Sequence, residues 1–179
     1  MKTSQHGIAA ILADEGERLT AYFDIAGVPT ISVGVTDGVT ADDVHNKRTI
    51  TREESQAMFS MALAPREAAV ERLCTLKPTQ NQFDALVSLV YNIGEGGFEK
   101  SSVLRFHNAG DFQRAATAFG LWNKARIAGV LQPVKGLTNR RAREAALYLT
   151  ASPVEAPQPT GGLLALIIKF IQLIFKGKS

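Results

Sequence analysis

Apolar side chains recur at helical spacing near the start of the chain and then give way to a pattern typical of strands. Ile8, Ile11 and Leu12 are spaced as on one helix face, and a glycine soon follows as a stop. A short amphipathic helix is therefore predicted over about residues 4–15. In the next stretch, 19–36, a glycine-containing turn separates two arms, the second of them rich in β-branched residues. This pattern favours a β-hairpin.

A loop and then a long helical pattern occupy the next part of the chain. TDGVTADD, residues 36–43, is predicted to be a loop. Thr51 and Glu54 have capping-box spacing, and an Ala/Met/Leu-rich run continues to about residue 73. Pro65 lies inside this run, and we expect it to kink the helix or divide it in two.

A second capping box, Thr79 and Gln82, precedes the widest apolar stripe of the chain, which ends at Gly94. A central buried helix is predicted here, with the stripe on Phe83, Leu86, Val87, Val90 and Tyr91. GEGGF then reads as a glycine-rich turn, and shorter helices are expected at about 101–108, 111–122 and 137–149. The pattern predicts an α+β fold that is mostly helical, with one small sheet.

The composition of the chain indicates which classes of fold, metal site and partner are to be expected. The 179 residues, 45% of them hydrophobic, suit one compact domain, predicted over 1–150. The single cysteine, Cys74, can form neither an internal disulfide nor a zinc site, so a reduced site of synthesis is expected. The N-terminus carries no persuasive secretory signal or membrane anchor. The net charge of +3 comes from the last nineteen residues, so the globular part is neutral and a nucleic-acid partner is not expected.

The segment DEGERLTAYFD contains the candidate chemistry. Glu15 continues the apolar stripe of the first helix, where partial burial disfavours a charged carboxyl, as a general acid requires. Asp24 follows at the hairpin turn, where a carboxylate stays hydrated, and Thr30 begins the second arm. One neutral and one charged acid can break a glycosidic bond. Solvated surface charges beside a capped hairpin are the alternative, and the pattern alone favours that alternative.

EGERLTAYFDIAGVPTISVG also resembles the active-site segment of phage-type, T4-like lysozymes. The family has a Glu-Gly pair, an Asp nine residues after the Glu and a Thr six further on, and Glu15, Asp24 and Thr30 match all three. The resemblance continues through QNQFDALVSLVYNIGEGGF and KGLTNRRAREAALYL to about residue 150. One segment departs from the family, because ISVGVT places Ser32, Val33 and Val35 where the family has glycine, tyrosine and histidine.

The resemblance implies a two-lobed fold with a small sheet lobe, a long connecting helix, a helical C-terminal lobe and a cleft between the lobes. It implies hydrolysis of the β-1,4 bond between N-acetylmuramic acid and N-acetylglucosamine in peptidoglycan, with inversion and without cofactor or metal. Glu15 would be the proton donor, Asp24 the carboxylate that activates water, and Thr30 the hydroxyl that positions it.

Three further residues match family positions near the cleft. Asn92 is a candidate for hydrogen bonding to an acetamido group, and Arg140 and Arg141 are candidates for binding a peptide carboxylate or fixing the surroundings of Glu15. The alternatives are an asparagine that caps its own helix and two arginines on an exposed first turn. Trp122 is predicted to be a core residue of the helical lobe rather than a sugar platform.

The end of the chain departs most from a plain lysozyme. Residues 151–162 are rich in proline and glycine and predict a linker, and residues 163–179 form an apolar tail with lysines. A helix over the apolar run would span only about 20 Å, too short to cross a bilayer. An interfacial helix is favoured, bound to anionic membrane or lipopolysaccharide through Lys169, Phe170, Ile174, Phe175 and Lys176. Packing on the domain or self-association is the alternative.

The leading hypothesis is a monomeric endolysin that accumulates in the host cytoplasm and reaches the wall after a holin breaches the inner membrane. Its rival is a membrane-active binding protein on a lysozyme-like scaffold, in which the altered ISVGVT segment has weakened catalysis.

Overall fold

The computed structural model describes residues 1–127 and 129–151. The first helix, α1 (Gln5–Glu15), begins after Ser4, whose hydroxyl accepts a hydrogen bond from the backbone N–H of Gly7. It ends at Gly16, whose φ of 78° lies in the left-handed region that glycine tolerates. The helix predicted from the first apolar stripe is confirmed, and Glu15 is its last residue.

The predicted hairpin is also confirmed. Strands β1 (Arg18–Phe23) and β2 (Pro29–Ser32) are antiparallel, with Tyr22 opposite Thr30. The predicted loop over 36–43 is wrong in part, because the short helix α2 (Ala41–His45) begins within it. Reciprocal capping hydrogen bonds between Thr40 and Asp43 hold its first turn. The spacing of these two residues was a helix signal within the segment predicted to be a loop. A small hydrophobic cluster lies behind the hairpin and is formed by Ala21, Ile31 and Ile50.

The long helix α3 (Arg52–Leu73) runs through Pro65, so the predicted division in two is wrong, while the alternative of a kink stays a prediction. Pro65 removes the N–H that would have reached the carbonyl of Met61. Both residues are exposed, so water can hydrogen-bond to the freed carbonyl. The opposite face of α3 packs into the main core through Phe59, Leu63, Ala69 and Val70.

Helix α4 (Gln80–Ile93) is the predicted central helix. Four residues of its stripe are at most 2% exposed and the fifth, Tyr91, is half-buried. It packs between α3 and the last helix, α8 (Lys135–Leu149), and α1 crosses it closely. Gly7 permits this approach, because a Cβ there would lie 2.7 Å from Cγ of Asp84.

The remaining elements complete the helical lobe: α5 (Glu95–Glu99), α6 (Ser102–Asn108), α7 (Phe112–Phe119), a 3₁₀ turn (Gly120–Trp122), β3 (Lys124–Ile127) and β4 (Val130–Pro133). Two differ from expectation. The GEGGF turn forms α5, and β3 and β4 form a second hairpin that the pattern did not predict. Its apolar residues Ile127, Val130 and Leu131 are all exposed, so no alternation of buried and polar positions marks these strands. Trp122 is half-buried and packs against the edge of the main core rather than lying within it.

The mostly helical α+β architecture is confirmed, and α3 contributes to both hydrophobic clusters, through Phe59 to the main core and through Met58 to the smaller one. Within residues 1–127 and 129–151, no helix is long and apolar enough to cross a membrane. Most of the predicted linker and all of the tail, including Lys169, Phe170, Ile174, Phe175 and Lys176, lie outside the described residues. Those assignments stay predictions.

Candidate active site

The side chain of Glu15 is held by an arginine that lies 125 residues later in the chain. It is the last residue of α1, and its carboxylate accepts a charge-assisted hydrogen bond from Nη1 of Arg140 on α8. Its side chain is 24% exposed, which agrees with the partial burial expected from its place on the stripe. Arg140 is one of the two arginines that the sequence offered as candidates for fixing the surroundings of Glu15. Glu15 is therefore held in one orientation while remaining accessible to a ligand.

Asp24 is fixed by the turn that follows β1. Its Oδ1 accepts hydrogen bonds of 2.8 Å from the backbone N–H groups of Ala26 and Val28. Such a local turn is one that aspartate forms readily, and it fixes the direction of the carboxylate. Asp24 itself is half-buried, in keeping with a carboxylate that water can reach.

Thr30 is tied to the same turn. It is 1% exposed, and its Oγ1 donates a 2.8 Å hydrogen bond to the carbonyl of Val28. Val28 thus joins both side chains, through its N–H to Asp24 and through its carbonyl to Thr30. Because the Thr30 hydrogen is donated to the backbone, the hydroxyl can meet a water only as an acceptor.

Arg140 is buried, so the alternative of an exposed first-turn arginine is wrong. It is 5% exposed and, besides Glu15, its Nε donates to Oε1 of Glu144 at 3.1 Å and its Nη2 to the carbonyl of Ser88 at 3.3 Å. Burial acts to lower the pKa of Arg140, but the hydrogen bond that Arg140 donates to Glu15 and the charges of Glu144 and Glu15 outweigh it, and the net direction is upward. The guanidinium is a permanent cation behind Glu15.

Arg141 and Asn92 form a second arm of the same cluster. Arg141 is 1% exposed; its Nη1 donates to Oδ1 of Asn92 at 2.8 Å and its Nη2 to Oε1 of Glu144 at 2.7 Å. Burial is the main cause that lowers the pKa of Arg141. Asn92 is exposed and bonded to Arg141, and α4 ends instead at Gly94. Arg140 lies beside Glu15, which is one of the two roles expected for the arginines, and contact of either arginine with a peptide carboxylate stays a prediction.

The altered ISVGVT segment packs inward. Ser32 is fully buried, its Oγ lies 2.6 Å from Oγ of Ser55 on α3, and its φ of 57° is in the left-handed region that favours glycine. Val35 packs on the cluster behind the hairpin, and Val33 packs against the main core. These side chains join the hairpin to the rest of the fold, and the turn that holds Asp24 and Thr30 remains formed.

Two residues of the site were not identified from the sequence. Tyr91 is half-buried near Glu15: burial raises the pKa of its hydroxyl, and the negative charge of Glu15 raises it further. The second residue is Glu144, whose carboxylate accepts hydrogen bonds from both arginines. Its position three and four residues after them was the available signal, because side chains at this spacing meet on one helix face.

Comparison with known proteins gives the family of the chain. The phage lysozyme family model matches residues 13–144. An endolysin of Salmonella phage P22 is 43% identical over 151 residues, covering 84% of this chain and 99% of that protein. In the crystal structure of a P22 lysozyme mutant, 42% of residues are identical and the TM-score is 0.72, with 84% and 99% of the two chains covered. The muramidase domain of SpmX from Asticaccaulis excentricus is 36% identical, with a TM-score of 0.71 and the same coverage. The chain therefore belongs to the phage lysozyme family and is a peptidoglycan hydrolase of the endolysin type.

Proposed function

We propose that this endolysin is an N-acetylmuramidase that hydrolyses the β-1,4 bond between N-acetylmuramic acid and N-acetylglucosamine. The observation that carries the proposal is a pair of carboxylates fixed by different means. Glu15 is held by buried Arg140, and Asp24 is held by two backbone N–H groups. Different surroundings for two acids are the arrangement that separates the donor of a proton from its acceptor.

In the proposed reaction, the carboxyl group of Glu15 transfers its proton to the glycosidic oxygen as the bond from that oxygen to the anomeric carbon breaks. Asp24 accepts a proton from a water molecule whose oxygen attacks the same carbon from the opposite face, so the configuration inverts. Thr30 accepts a hydrogen bond from this water. Proton exchange with solvent returns both carboxyls to their starting states. Asn92, which is exposed beside the arginine cluster, hydrogen-bonds to an acetamido group of the glycan.

The test is the release of soluble muropeptides from purified peptidoglycan by wild type and Glu15→Gln. Glutamine keeps the size of the side chain but has no acidic proton, so we expect a fall in rate of at least about 100-fold. Glu17→Gln, a neighbouring acid outside the proposed roles, is the matched control and should retain activity. New reducing ends should be N-acetylmuramic acid. Unchanged release by Glu15→Gln would contradict the proposal, whereas absence of release by wild type would favour the rival hypothesis of a membrane-active binding protein with weakened catalysis.

We also propose that residues 163–179 bind anionic membrane or lipopolysaccharide, that the protein is a monomer, and that it passes to the periplasm after a holin opens the inner membrane. The support is compositional: the tail has three lysines and no acidic residue among apolar side chains.

A further inference from the structure

Glu144 is a buried carboxylate that binds both buried arginines of the site. It is 4% exposed on α8, and its Oε1 alone accepts three hydrogen bonds, from Oγ of Ser88 at 2.6 Å, Nε of Arg140 at 3.1 Å and Nη2 of Arg141 at 2.7 Å. Burial raises the pKa of Glu144, while the two guanidiniums act in the opposite direction. A buried carboxylate needs such partners, and here both arginines lead onward to the active site.

Each arginine bonds to Glu144 on one side and to a site residue on the other. Arg140 reaches Glu15 through Nη1, and Arg141 reaches Oδ1 of Asn92 at 2.8 Å through Nη1. A guanidinium is planar and rigid, so fixing one edge fixes the direction of the other. The position of one buried oxygen therefore sets the positions of two side chains, one proposed to act on the glycosidic bond and one proposed to bind the glycan.

We infer that Glu144 is a positioning residue that places the proton donor Glu15 and the glycan-binding Asn92 at the same time. The inference rests on the proposed function, because it takes the roles of these two residues from it. Glu144 touches no substrate atom. Its effect comes through geometry, since a displacement of about 1 Å at a reacting group can reduce the rate about 100-fold.

The principal variant is Glu144→Gln, which keeps the size of the side chain and one acceptor oxygen but removes the charge that holds both guanidiniums. On soluble glycan strands from peptidoglycan, measured below the melting temperature of each variant, we expect kcat to fall roughly 10- to 100-fold. We also expect KM to rise, because Asn92 loses its support. Unchanged kcat and KM in a folded Glu144→Gln protein would overturn the inference.

A double-mutant cycle separates positioning from general loss of stability. In an Asn92→Ala background the second arm is already gone, so Glu144→Gln should still lower kcat but no longer raise KM. Independent, multiplicative effects on KM would overturn the coupling. If Glu144→Gln fails to fold, Ser88→Ala serves in its place. This substitution removes one donor to Oε1 of Glu144 and leaves both arginines in place. It should lower kcat and raise KM by smaller factors than Glu144→Gln. Unchanged kcat and KM would overturn the inference.

Glu67→Gln is the matched control. Glu67 is also 4% exposed, and its carboxylate binds Lys2 and Thr3 at the other end of α1. The variant should lower the melting temperature while kcat and KM stay at wild-type values. Retained activity of Glu15→Gln would contradict the proposed function itself. An inactive Glu15→Gln combined with an unaffected Glu144→Gln would overturn only the positioning role.

Discussion

Glu15 combines partial burial with a permanent cation, and this combination explains why an acidic residue stands on the apolar stripe of α1. Removing charge from water is costly, and a buried ion pair repays that cost only when its geometry is good and its remaining groups are hydrogen-bonded. Arg140 meets this condition through Glu15, Glu144 and the carbonyl of Ser88. The arrangement fixes the carboxyl and leaves one side of it open to the glycan.

His107 shows a different solution to a buried polar group. It is fully buried, with Nδ1 2.6 Å from the hydroxyl of Tyr148 and Nε2 2.8 Å from the carbonyl of Leu76. These partners suit a neutral ring that donates from Nε2 to the carbonyl and accepts at Nδ1 from the hydroxyl. Burial lowers the pKa of His107 below its ordinary value.

This shift predicts a loss of stability in acid. As the pH falls below about 6.5, the histidine of the unfolded chain takes up a proton before the folded one does, so unfolding is favoured. Urea unfolding should show that the unfolding free energy falls less between pH 7.5 and pH 5.5 for His107→Gln than for wild type. The difference between the two falls should be no more than about 1.4 kcal/mol per pH unit. His6→Gln, at an exposed site, should behave as wild type. Equal falls in all three proteins would contradict the assignment.

At the scale of elements, capping residues and apolar stripes were the reliable signals. Thr51 and Thr79 begin α3 and α4 with capping boxes, as expected. The errors came where tertiary contacts or solvent decide: α3 continues through an exposed proline, and β3 and β4 pair without burying a face. The presence of a proline predicts the free-energy cost of the lost backbone hydrogen bond. It does not predict whether the packing of α3 against the core stabilises the helix by more than that cost.

Replacing Pro65 should therefore stabilise α3. Pro65→Ala restores an N–H for the carbonyl of Met61 on an exposed face, and we expect the unfolding free energy to rise by about 1–3 kcal/mol. Ala64→Gly, at the neighbouring exposed position, is the control and should lower the unfolding free energy by about 1 kcal/mol. A decrease of this size would show that helix propensity within α3 affects the stability of the whole domain. A lower melting temperature for Pro65→Ala would show that the helix requires proline geometry.

At the scale of the molecule, α3 spans two hydrophobic clusters, and α8 returns to α1 to complete the site. Residues 125 positions apart in the chain, Glu15 and Arg140, meet only in this way. Hydrolysis therefore depends on the folded domain, whereas the membrane binding proposed for residues 163–179 rests on the sequence of that segment alone.

That division predicts separable functions. A protein ending at residue 151 should release muropeptides from purified peptidoglycan as wild type does, but should lose binding to phosphatidylglycerol vesicles. Lys169→Glu and Lys176→Glu in the full chain test the same point, since each lysine near an anionic surface is worth about 1 kcal/mol. Both should weaken vesicle binding without affecting hydrolysis. Equal binding by the full and shortened proteins would contradict the interfacial helix.

The sequence by itself determined most of the helices, the first hairpin and the stripe that selects Glu15, because these depend on spacing along the chain. The resemblance to phage-type lysozymes added Asp24 and Thr30. Only the tertiary structure decided that Arg140 and Arg141 are buried, that Glu144 joins them, and that Asn92 bonds to Arg141 rather than capping its helix. The contacts of Arg140 with Glu15 and of Arg141 with Asn92 join different helices, whereas Glu144 lies on α8 together with both arginines. Burial and charge pairing across such distances depend on how the helices pack, which no local pattern records.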